Sequence, residues 1–272
     1  MRVDAAQTFL WFVLPYLAVV VFVLGHIWRY RRDQLGWTSR STQLLEGRAL
    51  RVGSLLFHFG ALAVIGGHVL GILVPASATA AIGIDEHAYH LISAVAGTIA
   101  GGSAVVGLLV LIVRRGVFAR IRRRTSAVDL AVYALLALVI GLGMAETLFH
   151  NLLASGNGYN YRSSVSIWYR GLFALEDHAA LMAHAPLVYR LHVLAAWAII
   201  ALWPFSRLVH AWSIPLQYLG RPYILYRRRF RPARRRFPAS AAEGYAGARA
   251  LAASSDMAGA AADGTGVRPV VR

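Results

Sequence analysis

The sequence predicts an all-α integral membrane protein with five transmembrane helices, its N-terminus outside and its C-terminus in the cytoplasm. Three observations lead there. The 272 residues are 58% hydrophobic and only 15% charged, with a mean hydropathy of +0.54, which is not the balance of a water-soluble globule. Five stretches, roughly 7–28, 51–75, 88–113, 127–149 and 186–213, reach the ~20 apolar residues that a helix needs to cross a bilayer. The 28 basic residues are all arginine and cluster between these stretches. That is a membrane-topology pattern and not a basic face for nucleic acid, so the net charge of +16 speaks of orientation. The expected location is the cell (cytoplasmic) membrane, with lipid and no nucleic acid as surroundings.

The first stretch reads as a retained helix. Its apolar run is too long for a signal peptide, and it runs straight into Arg29, Arg31 and Arg32 with no small-residue cleavage site. Orientation follows from the arginines. Segment 29–50 holds five, segment 114–126 holds six, and the stretch after 220 opens with Arg221, Arg227, Arg228 and Arg229, so these three lie inside. Residues 76–87 carry none and 150–185 only Arg162 and Arg170, so these two lie outside. The 150–185 segment is long enough to fold over the membrane surface, with Trp168, Tyr169 and Phe173 suited to the interface. Residues 1–230 make one five-helix domain. Residues 231–237 are basic and 238–272 run to Ala, Gly and Ser, the composition of a disordered cytoplasmic tail.

With no cysteine, the chain has no disulfide, no thiolate metal site and no thioether attachment of haem, which leaves ten histidines as candidate metal ligands. Four of them, His58 and His68 on the second helix and His192 and His210 on the fifth, sit inside spans, where an ionisable group is expensive. The second and fifth helices run in opposite directions, so topology pairs His58 with His210 in the inner half and His68 with His192 in the outer half. Along their helices His58 and His68 are about 15 Å apart and His192 and His210 about 27 Å, so two bridging cofactors would have centres about 20 Å apart. Pro204 is expected to kink the fifth helix between its histidines. On continuous helices, His192 and His210 fall on one line, and His58 and His68 lie about 80° apart.

Two imidazoles facing across helices point to iron in a non-covalent b-type haem, bis-histidine and electron-carrying, twice in the chain. Gly60, Gly66, Gly67 and Gly71 either clear room for the flat macrocycle or let helices approach closely. Arg207, one turn before His210, has no obvious carboxylate partner and either meets a haem propionate or snorkels to the headgroups.

These residues resemble a family, the gamma subunit of membrane-bound respiratory nitrate reductase, a five-helix dihaem cytochrome b. The resemblance covers about residues 8–230. It rests on GHIWRYRRDQLGWTSRSTQLLE, the histidine pair in LFHFG and GGHVLG, VSIWYRGLF in the outer segment, and PLVYRLHVLAAW with LWPFSRLVHAWSIPLQYLGRPYILYR. It implies quinol oxidation near the outer haem and electron passage through the outer and then the inner haem. It also implies delivery to an iron–sulfur beta subunit and a molybdenum-containing alpha subunit that reduces nitrate in the cytoplasm. By position, His68 and His192 would hold the outer haem and His58 and His210 the inner. Enterobacterial-type members carry a quinol-binding lysine at the start of the third helix. This chain has no lysine and offers His87 and His90 there instead, in IDEHAYHLI, with Asp85 and Glu86 beside them to hold an imidazole or relay a proton. The Arg-rich 114–124 loop and the 214–229 segment combine charge with aromatic anchors, as docking of the soluble subunits needs. The rivals are the cytochrome b subunit of a formate dehydrogenase or hydrogenase, and a proton-coupled transporter.

Overall fold

The computed structural model describes residues 4–34, 36–39, 41–152 and 159–213. The expected tail at 231–272 and the 214–229 docking segment lie outside these. The described residues are helical, with five helices long and apolar enough to cross a membrane: Ala5–Arg32, Arg48–Leu73, Glu86–Val117, Ala127–Phe149 and Leu187–Phe205. The first three run past their apolar stretches at one or both ends because local signals carry the helix on. Arg29, Arg31 and Arg32 fill the last turn of the first span, where cations suit the helix dipole. The third begins at Glu86 because the Asp85 side chain accepts from the Ala88 N–H at 2.7 Å. The fourth opens on a capping box, Ser126 with Asp129.

The second span packs along the third, where Gly60 and Gly107 let backbones meet, while the fifth packs on the first and fourth. The second and fifth share no extended backbone contact. What lies between them is the histidine pairs.

The fifth span departs from the sequence expectation. Its α-helix stops at Leu202, short 3₁₀ turns occupy Trp203–Phe205 and Arg207–Ser213, and Ser206 between them is extended. Pro204 is the cause, since it lacks an N–H and its ring crowds the preceding turn. The carbonyls that the break exposes are met by Arg29 from the first span, which donates to Pro204 O at 2.7 Å and Ser206 O at 2.8 Å, and also to Gly36 O at 2.9 Å. Arg29 is therefore a buried clamp on the helix break as well as a topology signal. Arg29→Met is expected to cost about 2 kcal/mol, because buried carbonyls lose a charged donor; detergent-phase thermal unfolding measures it.

The outer-segment expectation is also refined. Residues 159–185 fold into a 3₁₀ turn and two helices, Val165–Ala174 and Ala179–Ala183, that cap the arginine-poor end of the bundle. Trp168 is not interfacial but central: it is 1% exposed, and its indole N–H donates to Trp11 O at 2.6 Å. Trp11, Trp168, Leu172, Met182, Tyr189 and Trp197 form the core there. The second span ends beneath this cap, and its last carbonyls find donors in it. Ser166 Oγ donates to Gly71 O, Arg170 to Ile72 O at 2.8 Å, and Arg162 reaches Val74 O.

At the arginine-rich end, Arg114 is buried and holds the first connection, bonding the Glu46 carboxylate, Glu46 O and Thr42. Glu46 in turn accepts the N–H groups of Ala49 and Leu50 at the start of the second span. The Arg114 guanidinium beside Glu46 holds its carboxyl below the usual carboxylate value, against the opposing pull of burial. A depressed carboxyl contributes stability that is present above about pH 4.3 and is lost as pH falls through the lower folded value. The Tm gap between the wild type and Glu46→Gln is thus expected to be widest near neutrality and to close in acid.

Candidate functional site

His58, His68, His192 and His210 meet in the two pairs that the alternating chain direction predicts, although His210 lies in the 3₁₀ turn beyond the fifth span. His58 and His210 have ring centroids 6.0 Å apart with planes at 77°, and His68 and His192 have centroids 6.0 Å apart with planes at 10°. In all four, Nδ1 is engaged by a backbone carbonyl: Ser54 O for His58 at 2.7 Å, Val64 O for His68 at 2.8 Å, Val139 O for His192 at 3.0 Å and Arg207 O for His210 at 2.6 Å. Nδ1 bears the proton in each bond, which leaves a lone pair on every Nε2.

An imidazole nitrogen binds a metal at about 2.0 Å, so two imidazoles on opposite sides of one ion have ring centres about 6.3 Å apart. Both observed separations fit that spacing. Among the described residues no three His, Asp or Glu side chains converge as a metal cage. Each pair presents two imidazole nitrogens without a third protein donor, a set that fits a haem iron and not a metal held by protein alone.

The glycines divide between the two expectations. A Cβ on Gly60 would strike the backbone of Ala104 and the Ala100 carbonyl, so Gly60 serves helix approach. Gly66 and Gly67 have nothing within 4 Å and face open space beside the second span. Gly71 lies against the Tyr89 and Tyr161 hydroxyls. Gly143, on the fourth span, makes room for the outer pair, since a Cβ there would sit 3.0 Å from His192 Cε1.

Why the inner pair meets follows from the break at Pro204. The line of five full turns from His192 to His210 requires an unbroken helix, and the 3₁₀ passage removes it. His210 is thereby free to approach His58, and the 80° mismatch on the second span needs no separate helix rotation.

Arg207 does have a carboxylate. Its Nε donates to Asp129 Oδ1 at 2.7 Å and its Nη2 lies 2.7 Å from Oδ2, while Arg115 stands 3.6 Å from the same carboxylate with its guanidinium over the Tyr133 ring. Asp129 fixes Arg207, and the Arg207 carbonyl accepts from His210 Nδ1. The carboxylate thus positions an imidazole through one residue. A cavity of about 370 Å³ opens beside the inner pair, lined by His58, His210, Arg207 and Arg51 among others. Sequence reasoning missed both Asp129 and Arg51. The signals were there: Asp129 is the acid of a capping box, and Arg51 precedes His58 by seven residues, two turns on the same face.

His87 and His90 lie in the first turns of the third span, and both are exposed. Neither ring is hydrogen-bonded among the described residues. Asp85 and Glu86 do not serve them: Asp85 caps the helix, and Glu86 pairs with Arg162 at 2.9 Å. Arg162 itself is buried, donates to Thr79 Oγ1 at 3.1 Å, and lies 3.9 Å over the Tyr89 ring.

A family model described as nitrate reductase gamma subunit matches residues 7–229. The nitrate reductase gamma chain of Bacillus subtilis is 43% identical over 220 residues, 81% of this chain and 97% of its own length. The respiratory nitrate reductase 1 gamma chain of Escherichia coli is 30% identical over 221 residues, 80% of this chain and 95% of its own. The nitrate reductase-like protein NarX of Mycobacterium tuberculosis is 45% identical over 226 residues, 83% of this chain, which spans about a third of that protein (34%). With five membrane-crossing helices and this match over most of its length, the chain is a multi-pass cell-membrane protein that belongs to the nitrate reductase gamma subunit family.

Proposed function

We propose that this chain is the quinol-oxidising cytochrome b subunit of a respiratory nitrate reductase. The observation that carries the reading is the pair of facing imidazole couples, each 6.0 Å between centroids, with every Nδ1 tied to a carbonyl. In this reading His68 and His192 hold one haem b and His58 and His210 the other. Arg51 and the Asp129-bound Arg207 supply positive charge beside the inner one. When bound, the two haems supply a pair of one-electron carriers between a quinol at the arginine-poor, outer side and partner subunits in the cytoplasm.

The N-terminus is outside and the C-terminus inside, as the arginine distribution requires. The partners are an iron–sulfur beta subunit and a molybdenum alpha subunit that reduces nitrate. Family membership sets this apart from the formate dehydrogenase and hydrogenase cytochromes. His90, with His87 one turn before it on the exposed start of the third span, takes the proton that quinol releases and passes it to the outer water, which imidazole does near neutral pH. Electrons travelling inward while protons leave outside would charge the membrane.

The test is stopped-flow haem reduction of the purified, lipid-embedded protein by a short-chain quinol. The expected result is rapid reduction in the wild type and at least tenfold slower reduction in the His87→Ala/His90→Ala double variant, with both haem spectra kept. A wild-type protein reduced by dithionite but not by quinol would contradict the proposal, and an unchanged rate in the double variant would remove the two histidines from it.

A further inference from the structure

The connection between the first and second spans is held from three directions. Arg29 of the first span donates to Gly36 O at 2.9 Å, Arg207 beyond the fifth reaches Ser39 O at 3.5 Å, and Arg114 of the third bonds Thr42 and Glu46. Connections are as a rule the loose parts of a fold. This one is tied to three helices, and it also walls the inner histidine pair, since Ser39, Thr42 and Gln43 line the same cavity as His58 and His210.

The tie at Arg114 shapes the tip. The chain turns at residues 42–45, where the Leu45 N–H donates to Thr42 O at 3.0 Å. Arg114 Nη2 donates to Thr42 O at 3.1 Å on one side of the turn and to Glu46 O at 2.7 Å on the other. Arg114 is buried, so water does not compete for these bonds. The clamp leaves Leu44 fully exposed, with Leu45 beside it partly so. Ser41 and Gln43, just before it, are exposed and polar, so the tip does not continue a lipid-facing apolar stripe. A lone exposed leucine on a flexible surface is ordinary. One held out by a buried arginine beside the inner pair is a preformed anchor, because folding has already met the ordering cost of binding.

Charge says what kind of partner fits. Arg31, Arg32, Arg48 and Arg51 flank the connection and are exposed, and among the described residues none pairs with a carboxylate. The connection's own acids do not offset them. Glu46 is taken by Arg114, and Asp33 turns back to accept the Gly36 N–H at 2.9 Å. The surface therefore suits an apolar socket with an acidic rim. The 114–124 loop offers less charge than its sequence suggests, because Arg114 and Arg115 are buried.

We infer that the turn at residues 42–45, with Leu44 as its anchor and Arg114 as its clamp, is where the iron–sulfur subunit of the complex docks. The inference rests on the proposed function and adds the surface through which the electron leaves. One electron passes from the inner site to a cluster of the docked subunit, so the first is oxidised as the second is reduced.

The test is copurification from membranes in which the tagged chain is produced together with the other subunits of its complex. The iron–sulfur subunit is identified by the paramagnetic resonance of its clusters. Leu44→Asp is expected to lower the amount of that subunit per haem at least tenfold, while both haems and their reduction by a short-chain quinol stay as in the wild type. Reoxidation of the quinol-reduced haems by nitrate should fall to the same extent. Leu44→Met, which keeps an apolar anchor, should retain the subunit. Should Leu44→Asp lose its haems, Leu44→Ser carries the same comparison. Wild-type recovery of the subunit in Leu44→Asp and Leu44→Ser overturns the inference alone, and so does an intact complex that has lost only copurified phospholipid, which would give the tip to the membrane surface. A wild type that yields no iron–sulfur subunit overturns the proposed function beneath it.

Discussion

Alanine in place of His58 or of His210 is expected to leave a protein with one low-spin b-type haem instead of two, and alanine in place of His68 or of His192 to leave the other one. The expectation follows from the pairing. Each imidazole has its partner's ring centroid 6.0 Å away on another segment, and each is held in its tautomer by a carbonyl. Removing one member would take from the proposed haem a ligand for which no third His, Asp or Glu converges among the described residues. The absorbance of the reduced protein and its extracted haem content measure the result. Acid acetone should release the remaining haem intact, because without cysteine nothing binds it covalently. Loss of the same haem from His58→Ala and His68→Ala would contradict the pairing.

The second large effect is expected at Asp129. Its carboxylate is 5% exposed, bound by Arg207 through two nitrogens and approached by Arg115, and it caps its own helix through Ser126. Asp129→Asn keeps the shape and removes the charge, which leaves two arginines under-compensated in a buried place. Breaking a buried pair from one side costs roughly 3–5 kcal/mol. Because Arg207 carries the carbonyl that orients His210, the variant should also release the inner haem more readily than the outer one. Chemical denaturation in detergent gives the first number and haem retention on dilution gives the second. A variant as stable as the wild type, with equal retention of both haems, would show that the pair does not position His210.

How much of this was legible in the sequence differs from element to element, for physical reasons. Span number and histidine pairing were readable because a bilayer imposes a length on every helix and because chain direction alternates; His58 can meet only a histidine in its own half of the membrane. The break at Pro204 was readable in place but not in consequence. A proline tells where a helix fails, while the 3₁₀ path after it depends on Arg29, which lies 175 residues away in sequence and donates to Pro204 O. Arginine was the least transparent residue. Its position in connections reports topology, yet Arg29, Arg114 and Arg162 are buried, each bonded to carbonyls or carboxylates from distant segments. Such contacts have no local pattern. Trp168 shows the same limit, since an aromatic in a membrane-surface segment suits the interface or a cap core equally well, and only packing against Trp11 decides.

The most direct measurement is the haem content of double histidine variants. With two same-pair doubles, His58→Ala/His210→Ala and His68→Ala/His192→Ala, each protein should retain one haem b per chain, as its single variants do. With the cross-pair doubles, His58→Ala/His68→Ala and His192→Ala/His210→Ala, no low-spin haem should remain. A cross-pair double that keeps a low-spin haem, or a same-pair double that keeps none, would show that the facing imidazoles are not the ligands of two separate haems.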